Sequence, residues 1–351
     1  MISLDDRLDG DVLVIRDSMI KFRGSNSADL EICEAAYKPL PMYFNRQFIK
    51  ILEDMGVEDD YFLDLQEKEV ERLRQAADNP LSASRFLSKQ EIGETVHLPW
   101  LVTELAMHNL NFTNDGFLRD TVELARLSEL RKLKHKTRIP VEKGYHLHGI
   151  MDETGFLEED QIFCVVIEDG IPRYIVGKNL IISRAPALHP GDVQLVEGVM
   201  PPQNSSLMQL TNCICFSQKG SRDLPSKLSG GDLDGDRYYI MWDELAQPKR
   251  VFEPADYPRV SPIDIGRKVK REDMIEFFLQ FYETDQLGRI AVTHRVKADQ
   301  RDLGTNDPGC LLLAELHSTA VDFSKTGIPV RSLIQALCCN ILTRFFAGRH
   351  Q

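Results

Sequence analysis

No Cys-x-x-Cys pair occurs in this chain. Its seven cysteines, at positions 33, 164, 213, 215, 310, 338 and 339, are odd in number. That argues against a closed disulfide framework and a thiolate zinc site, and for a reducing compartment. No apolar run approaches the roughly 20 residues that span a bilayer, so no membrane association is expected. The N-terminus, MISLDDRLDGD, lacks the basic-then-apolar order of a secretory signal. The expected setting is a soluble protein of the cytoplasm or nucleus. Excess positive charge is missing too: 42 Lys and Arg stand against 54 Asp and Glu, a formal net charge of -12. A bulk nucleic-acid coat is therefore not expected, although a local basic channel remains compatible with an acidic total. There is no GxxxxGK phosphate loop, no GxSxG nucleophile elbow, no fixed-period repeat and no long low-complexity tract.

What is present is the composition of a folded protein. The 351 residues are 42% hydrophobic and 27% charged, with room for two or more domains. DVLVI (11–15) and LEIC (30–33) read as short strands around the turn RGSNSAD, ending at the breaker PLP. From Asn45 the period becomes helical: Phe48, Ile49, Leu52 and Met55 fall on one face, and Gly56 is a C-terminal stop. Helical patterns continue through 67–77, 101–110 and 118–136. After Pro140 short strands are expected at 161–167, 174–183, 193–199, 212–217 and 237–241, with turns at DETG, EDGIPR and HPGD. Strands at this spacing predict a small barrel or sandwich. From about 272 the pattern is helical again, through MIEFFLQFY and CLLLAELHSTA.

The stretch SGGDLDGDRYYIMWDE (229–244) places Asp232, Asp234 and Asp236 at alternate positions among Gly230, Gly231 and Gly235. On an extended chain residues two apart share a face, so the three carboxylates converge. Like charges so close repel unless a cation or donors compensate them. Aspartates on a glycine-rich turn suit a hard, oxygen-seeking ion such as Mg²⁺, whose coordination is completed by water and substrate phosphates. Two blander readings stand beside this one. D-x-D-x-D also opens an EF-hand, but Arg237 takes the place of the required glycine and Asp243 that of the bidentate glutamate. The other is a solvated acidic turn between strands.

The flanks bear on the choice. QKGSRDLPSK (218–227) brings Lys219, Arg222 and Lys227 beside the triple negative charge, as in sites where cations hold a triphosphate near a carboxylate-bound metal. Ordinary charge alternation on an exposed loop is the competing account. RKLKHKTR (131–138) is read as a solvated helix face, with backbone-phosphate contact as its alternative. His146 and His148 share a strand face without a third ligand nearby, which favours packing over metal. Cys213 and Cys215 share a face and are read as core. His189, before Pro-Gly, is read as orienting a loop, and LDGDVLV (8–14) as a surface turn.

Taken together, several stretches resemble the eukaryotic RNA-silencing type of RNA-dependent RNA polymerase. They are VIRDSMIKF (14–22), PMYFNRQFIKILEDMGV (41–57), GIMDETGFLEEDQIF (149–163), ISRAPALHPGDVQLVEGV (182–199), NCICFSQKGSRDLPSKLSGGDLDGD (212–236), FFLQFYETDQLGRIAVTHRVKAD (277–299) and CLLLAELHSTAVDFSKTG (310–327). That family is similar in fold to the two-barrel cellular RNA polymerases, in which the second of two facing double-psi β-barrels carries three aspartates. The resemblance implies an α+β chain with a double-psi β-barrel flanked by helical segments. Residues 1–40 would be the tail of the first barrel, 41–138 a helical connector, 139–245 the second barrel with its catalytic loop, and 246–351 a mainly helical downstream region. It implies RNA-templated RNA synthesis from NTPs, with Asp232, Asp234 and Asp236 both catalytic and holding Mg²⁺, for which Mn²⁺ substitutes. Lys219, Arg222 and, more remotely, Arg184 are the candidates for triphosphate or RNA phosphates. The implied partners are a single-stranded RNA template, a double-stranded RNA product and silencing-pathway proteins, with a homodimer compatible. Asp17 departs from the proline usual there, the chain begins inside the first barrel, and the pattern fades after Gly327. A fragment or truncated form is therefore expected, with a non-catalytic RNA- or metal-binding remnant as the alternative.

Overall fold

In a computed structural model of the protein, residues 1–330 are described except 6, 21–23, 25, 26, 28, 258–260 and 329. Cys338, Cys339 and the rest of the segment from 331 onward lie outside the described residues, as does the end of VIRDSMIKF.

Six strands form the centre: β2 (Pro140–Met151), β3 (Gln161–Glu168), β5 (Gly177–Arg184), β6 (Val193–Gly198), β7 (Cys213–Phe216) and β8 (Arg237–Met241). Two shorter strands, β1 (Leu40–Tyr43) and β4 (Ile171–Tyr174), complete the sheet. The long β2 does two jobs. Its middle pairs antiparallel with β8, from Gly144 opposite Met241 to His148 opposite Arg237. Its end pairs parallel with β7, from His148 opposite Cys213 to Met151 opposite Phe216. The ring then runs β7–β3 antiparallel, β3–β6 parallel, β6–β5 antiparallel and β5–β8 antiparallel, returning to β2. This is a closed six-stranded double-psi β-barrel with helices around it. Closure leaves no free edge within the ring. β1 lies outside it against β2, and β4 folds back on β3. Asp169 and Gly170 both take positive φ in that hairpin, which an Asp-Gly pair tolerates.

Leu147, Ile162, Cys164, Ile182, Ile214, Phe216, Tyr238 and Ile240 fill one core. Each large apolar side chain so buried contributes about 1.5–3 kcal/mol. Cys213 and Cys215 are buried in a second core with Phe163 and Val165, the packing role expected for them.

Five helices precede the barrel: α1 (Arg46–Asp54), α2 (Asp59–Asp78), α3 (Pro80–Lys89), α4 (Leu98–Met107) and α5 (Gly116–Lys136). The Asn45 side chain caps α1 by accepting from the Phe48 N–H, and Gly56 follows at φ +94, the left-handed stop that glycine permits. Phe48, Ile51 and Leu52 bury the α1 face against Phe44, Val141 and Met241. This contact ties the helical layer to the barrel. Downstream lie the single-turn α6 (Leu224–Lys227), then α7 (Arg271–Thr284), α8 (Leu287–Gln300), α9 (Pro308–Val321) and the single-turn α10 (Phe323–Thr326). Ile290 of α8 packs with Leu313 and Leu316 of α9.

Two expectations are corrected. Residues 11–15 and 30–33 form no strand; Val12, Val14, Ile15, Leu30 and Ile32 are exposed, and a strand without a ladder partner is not stable alone. The stretch 174–183 is not one strand: Tyr174 ends β4 and β5 starts at Gly177, at φ +149, with a register shift before Leu180. A bulge of this kind re-aims the strand at a barrel corner.

His146 lies on β2 with its ring stacked on Tyr239 at 4.4 Å. Burial, with the nearby Arg237 charge, pulls its pKa from the ordinary 6.5 down to about 4. A base held neutral in the fold costs stability as pH falls through the interval between those values. His146→Phe, which keeps the stacking, is expected to flatten the acid limb of urea stability between pH 6.5 and 4; an unchanged limb would remove His146 from that account.

Candidate functional site

The loop from Ser229 to Asp236 joins α6 to β8 and lies beside the end of β5. It is a turn and not an extended strand, so convergence of the aspartates comes from hydrogen bonds as much as from alternation. The Asp232 N–H donates to Asp236 Oδ2 at 3.0 Å, and the Asp234 N–H donates to Asp232 Oδ1 at 3.2 Å. The Tyr238 hydroxyl donates to the Asp232 carbonyl at 2.8 Å. One carboxylate oxygen from each of Asp232, Asp234 and Asp236 lies within 4.8 Å of the others. Gly231 is needed where the loop meets the barrel: a Cβ there would lie 2.7 Å from Arg184 Cδ and 2.7 Å from the Tyr238 hydroxyl. Gly235 takes φ +145, which side chains disfavour.

Arg184, at the end of β5, is the partner of Asp236. Its Nε lies 2.6 Å from Oδ2, Nη2 donates to Oδ1 at 3.0 Å, and Nη1 donates to the Ser229 carbonyl at 3.1 Å. A planar guanidinium can hold a carboxylate and a loop carbonyl together in this way. Among the described residues no Lys or Arg is paired with Asp232 in this way. Desolvation, then the neighbouring Asp234, raises its pKa, and the charge of Lys325 opposes that rise. Three carboxylates thus converge with a single guanidinium ion-paired to them, and such an excess of acids is the condition that favours a cation. Three aspartate carboxylates, with oxygens left to donate, fit a hard divalent ion. The EF-hand reading fails on β8, which begins at Arg237 where a calcium loop would continue.

Beneath the loop sits a carboxylate the sequence reading took for part of a turn. Asp192 is fully buried. It accepts from the Tyr257 hydroxyl at 2.6 Å, and from the N–H groups of Leu188, His189 and Ser229 at 3.0–3.1 Å. Burial nonetheless pushes its pKa up to about 6. It joins the β5–β6 connection, the aspartate loop and the segment after β8. Asp192→Ala leaves four donors without an acceptor and is expected to cost about 3 kcal/mol; a change under about 1 kcal/mol in urea unfolding would contradict this bracing role. On the other side, His148 Nδ1 lies 3.2 Å from the Gly235 carbonyl while Nε2 faces Arg237 Nε at 3.2 Å. His148 thus supports the loop, with both ring nitrogens engaged.

A cleft of about 330 Å³ opens over the triad. Its lining includes Arg184, Ser229 and the three aspartates, together with His317 of α9, Lys325 of α10 and Asp322 between these two helices. Lys219 and Arg222 are not among its lining residues. Lys219 pairs with Glu158 at 2.5 Å. Arg222 donates to the carbonyls of Ser226 at 2.7 Å and Ala255 at 2.8 Å. Lys227 pairs with Asp160 at 3.1 Å. Of the predicted basic residues the structure brings only Arg184 to the triad. Lys325, Tyr257 and Asp192 were missed because they come from distant segments; Lys325 stood in the quoted SKTG, but nothing in its spacing marked it.

The family profile described as RNA dependent RNA polymerase matches residues 1–344. The chain belongs to this family. RNA-dependent RNA polymerase 6 of Arabidopsis thaliana is 36% identical over 339 residues, covering 91% of this chain and 27% of that one. Probable RNA-dependent RNA polymerase 1 of Oryza sativa subsp. japonica is 34% identical, covering 90% of this chain and 42% of the relative. The chain therefore spans well under half the length of these curated relatives. Among solved structures, RNA dependent RNA polymerase QDE-1 from Thielavia terrestris matches with a TM-score of 0.62 at 21% identity, over 83% of this chain and 36% of that one. That likeness is one of fold. No described helix of this RNA-dependent RNA polymerase family member is long and apolar enough to cross a membrane.

Proposed function

We propose that this chain carries the catalytic half of an RNA-templated RNA polymerase. It would transfer nucleotides from NTPs to a 3′-hydroxyl and yield double-stranded RNA for silencing. The observation that carries the reading is the convergence of Asp232, Asp234 and Asp236 beside a closed barrel in a member of this family. The three carboxylates would hold Mg²⁺, or Mn²⁺ in its place. When bound, the ion supplies Lewis-acid activation of the hydroxyl and neutralises phosphate charge. Arg184 keeps the Asp236 carboxylate turned toward its neighbours, Tyr238 and Gly231 hold the loop on the barrel, and the cleft admits the nucleotide. Template choice would come from base pairing, so backbone contacts suffice. Lys219 and Arg222, outside the cleft lining, are proposed for RNA phosphates beyond it.

We also propose the division into 1–40, 41–138, 139–245 and 246–351 given above, with 1–40 as the tail of a first barrel. The exposed apolar side chains at 12–15 are in keeping with a strand awaiting its partners.

The test is incorporation of labelled NTP on a single-stranded RNA template, with Mg²⁺ and with EDTA. The chain alone, or the chain joined to the upstream region of a relative, should give template-dependent, EDTA-sensitive product. Failure of both, with the protein folded and binding RNA, would favour the non-catalytic remnant.

A further inference from the structure

We propose that Lys325 is the cleft's phosphate-binding cation, receiving the triphosphate of the incoming nucleotide opposite the aspartates. This rests on the polymerase reading and adds a residue to it. Arg184 and Lys325 are the only Lys or Arg among the described lining residues of the cleft. Arg184 is engaged by Asp236 and the Ser229 carbonyl. Lys219 and Arg222, close to the triad in sequence, are engaged outside the cleft. His317, also in the lining, is buried, which lowers its pKa and disfavours its charged form. Lys325 is different. Its side chain is 71% exposed, and its ion pair with Asp322 is 3.8 Å long. A contact that long on an exposed pair is worth little and yields to a phosphate.

The backbone beneath it is firmly placed. Phe323 stacks on Phe277 at 5.5 Å and on Phe281 at 5.7 Å, docking α10 on α7. The Ile263 N–H donates to the Thr326 carbonyl at 3.0 Å, and Gly327 ends the turn at φ +74. A fixed turn carrying a flexible ammonium suits a triphosphate, because a lysine acts as a mobile point charge and needs no fixed fork geometry. The need for such a charge is plain: Asp232, Asp234, Asp236 and Asp322 all line a cleft that must admit a polyanion.

The experiment is calorimetric binding of a non-hydrolysable NTP analogue in Mg²⁺, which needs no turnover. Wild type is compared with Lys325→Ala, Lys325→Arg, Asp234→Asn and Lys68→Ala, the last removing a charge from the exposed face of α2. Lys325→Ala is expected to weaken binding about tenfold, equivalent to about 1.4 kcal/mol. Lys325→Arg should restore most of the affinity, and Lys68→Ala should match wild type. Circular dichroism on each variant checks the fold, and Lys325→Arg keeps the test valid should the alanine variant misfold. Wild-type affinity in Lys325→Ala, together with lost binding in Asp234→Asn, would overturn the role of Lys325 and leave the polymerase reading standing. Absence of binding by wild type would overturn both.

Discussion

Asp234→Asn is expected to leave the barrel folded and to lower nucleotide incorporation by about three orders of magnitude. The scale follows from losing about 4 kcal/mol of metal-assisted charge stabilisation, at about 1.4 kcal/mol per factor of ten. Asp234 is the most exposed of the three, so the substitution changes charge with little change in packing. It also removes a neighbour whose charge raises the pKa of Asp232, so the Asp232 carboxyl should move back toward its ordinary range. Unfolding in urea should stay within about 0.5 kcal/mol of wild type, as for surface substitutions in general. Incorporation within tenfold of wild type would take Asp234 out of the chemistry.

Arg184→Ala is the second large effect, and it strikes both stability and activity. The change leaves the partly buried Asp236 carboxylate without its cation and the Ser229 carbonyl without a donor. Removing one partner of such a pair costs more than the pair itself contributes, because the remaining charge stays desolvated. About 3 kcal/mol of stability should be lost, with incorporation falling by about two orders of magnitude as Asp236 turns away. Arg184→Lys restores the charge but cannot span the carboxylate and the carbonyl at once. It should recover stability better than activity. Equal recovery of both would show that Arg184 acts as charge alone.

How much of this could be read from the chain depends on how far apart the partners lie. The aspartate loop was legible because its chemistry is local: three acids, three glycines and the apolar run of β8 fall within sixteen residues. The barrel strands were largely legible too, since Ile162, Cys164 and Val166, or Ile214 and Phe216, alternate or run apolar between turn residues. The long β2 was seen only at His146 and His148, because it serves two partners and its burial pattern changes halfway. Residues 11–15 have strand composition, but composition supplies no ladder. The basic residues misled for a related reason. Lys219 and Arg222 are near the triad in sequence, yet the chain after β7 turns them toward Glu158 and toward main-chain carbonyls. Arg184, Asp192, Tyr257 and Lys325 reach the site through barrel closure and helix packing, over separations of twenty to ninety residues. No local pattern records such contacts. Asp192 shows the limit best: in HPGD it reads as part of a turn, and only the closed fold reveals four donors around it.

The central claim is that Asp232, Asp234 and Asp236 hold one divalent ion facing α10. Replacing Mg²⁺ by Fe²⁺ and adding peroxide with ascorbate generates hydroxyl radicals at the bound ion, which cut the nearby backbone. The account predicts cuts within 229–236, near Arg184 and within 317–326, suppressed by excess Mg²⁺ and absent in Asp234→Asn. Cleavage elsewhere, or the same cuts in Asp234→Asn, would contradict it.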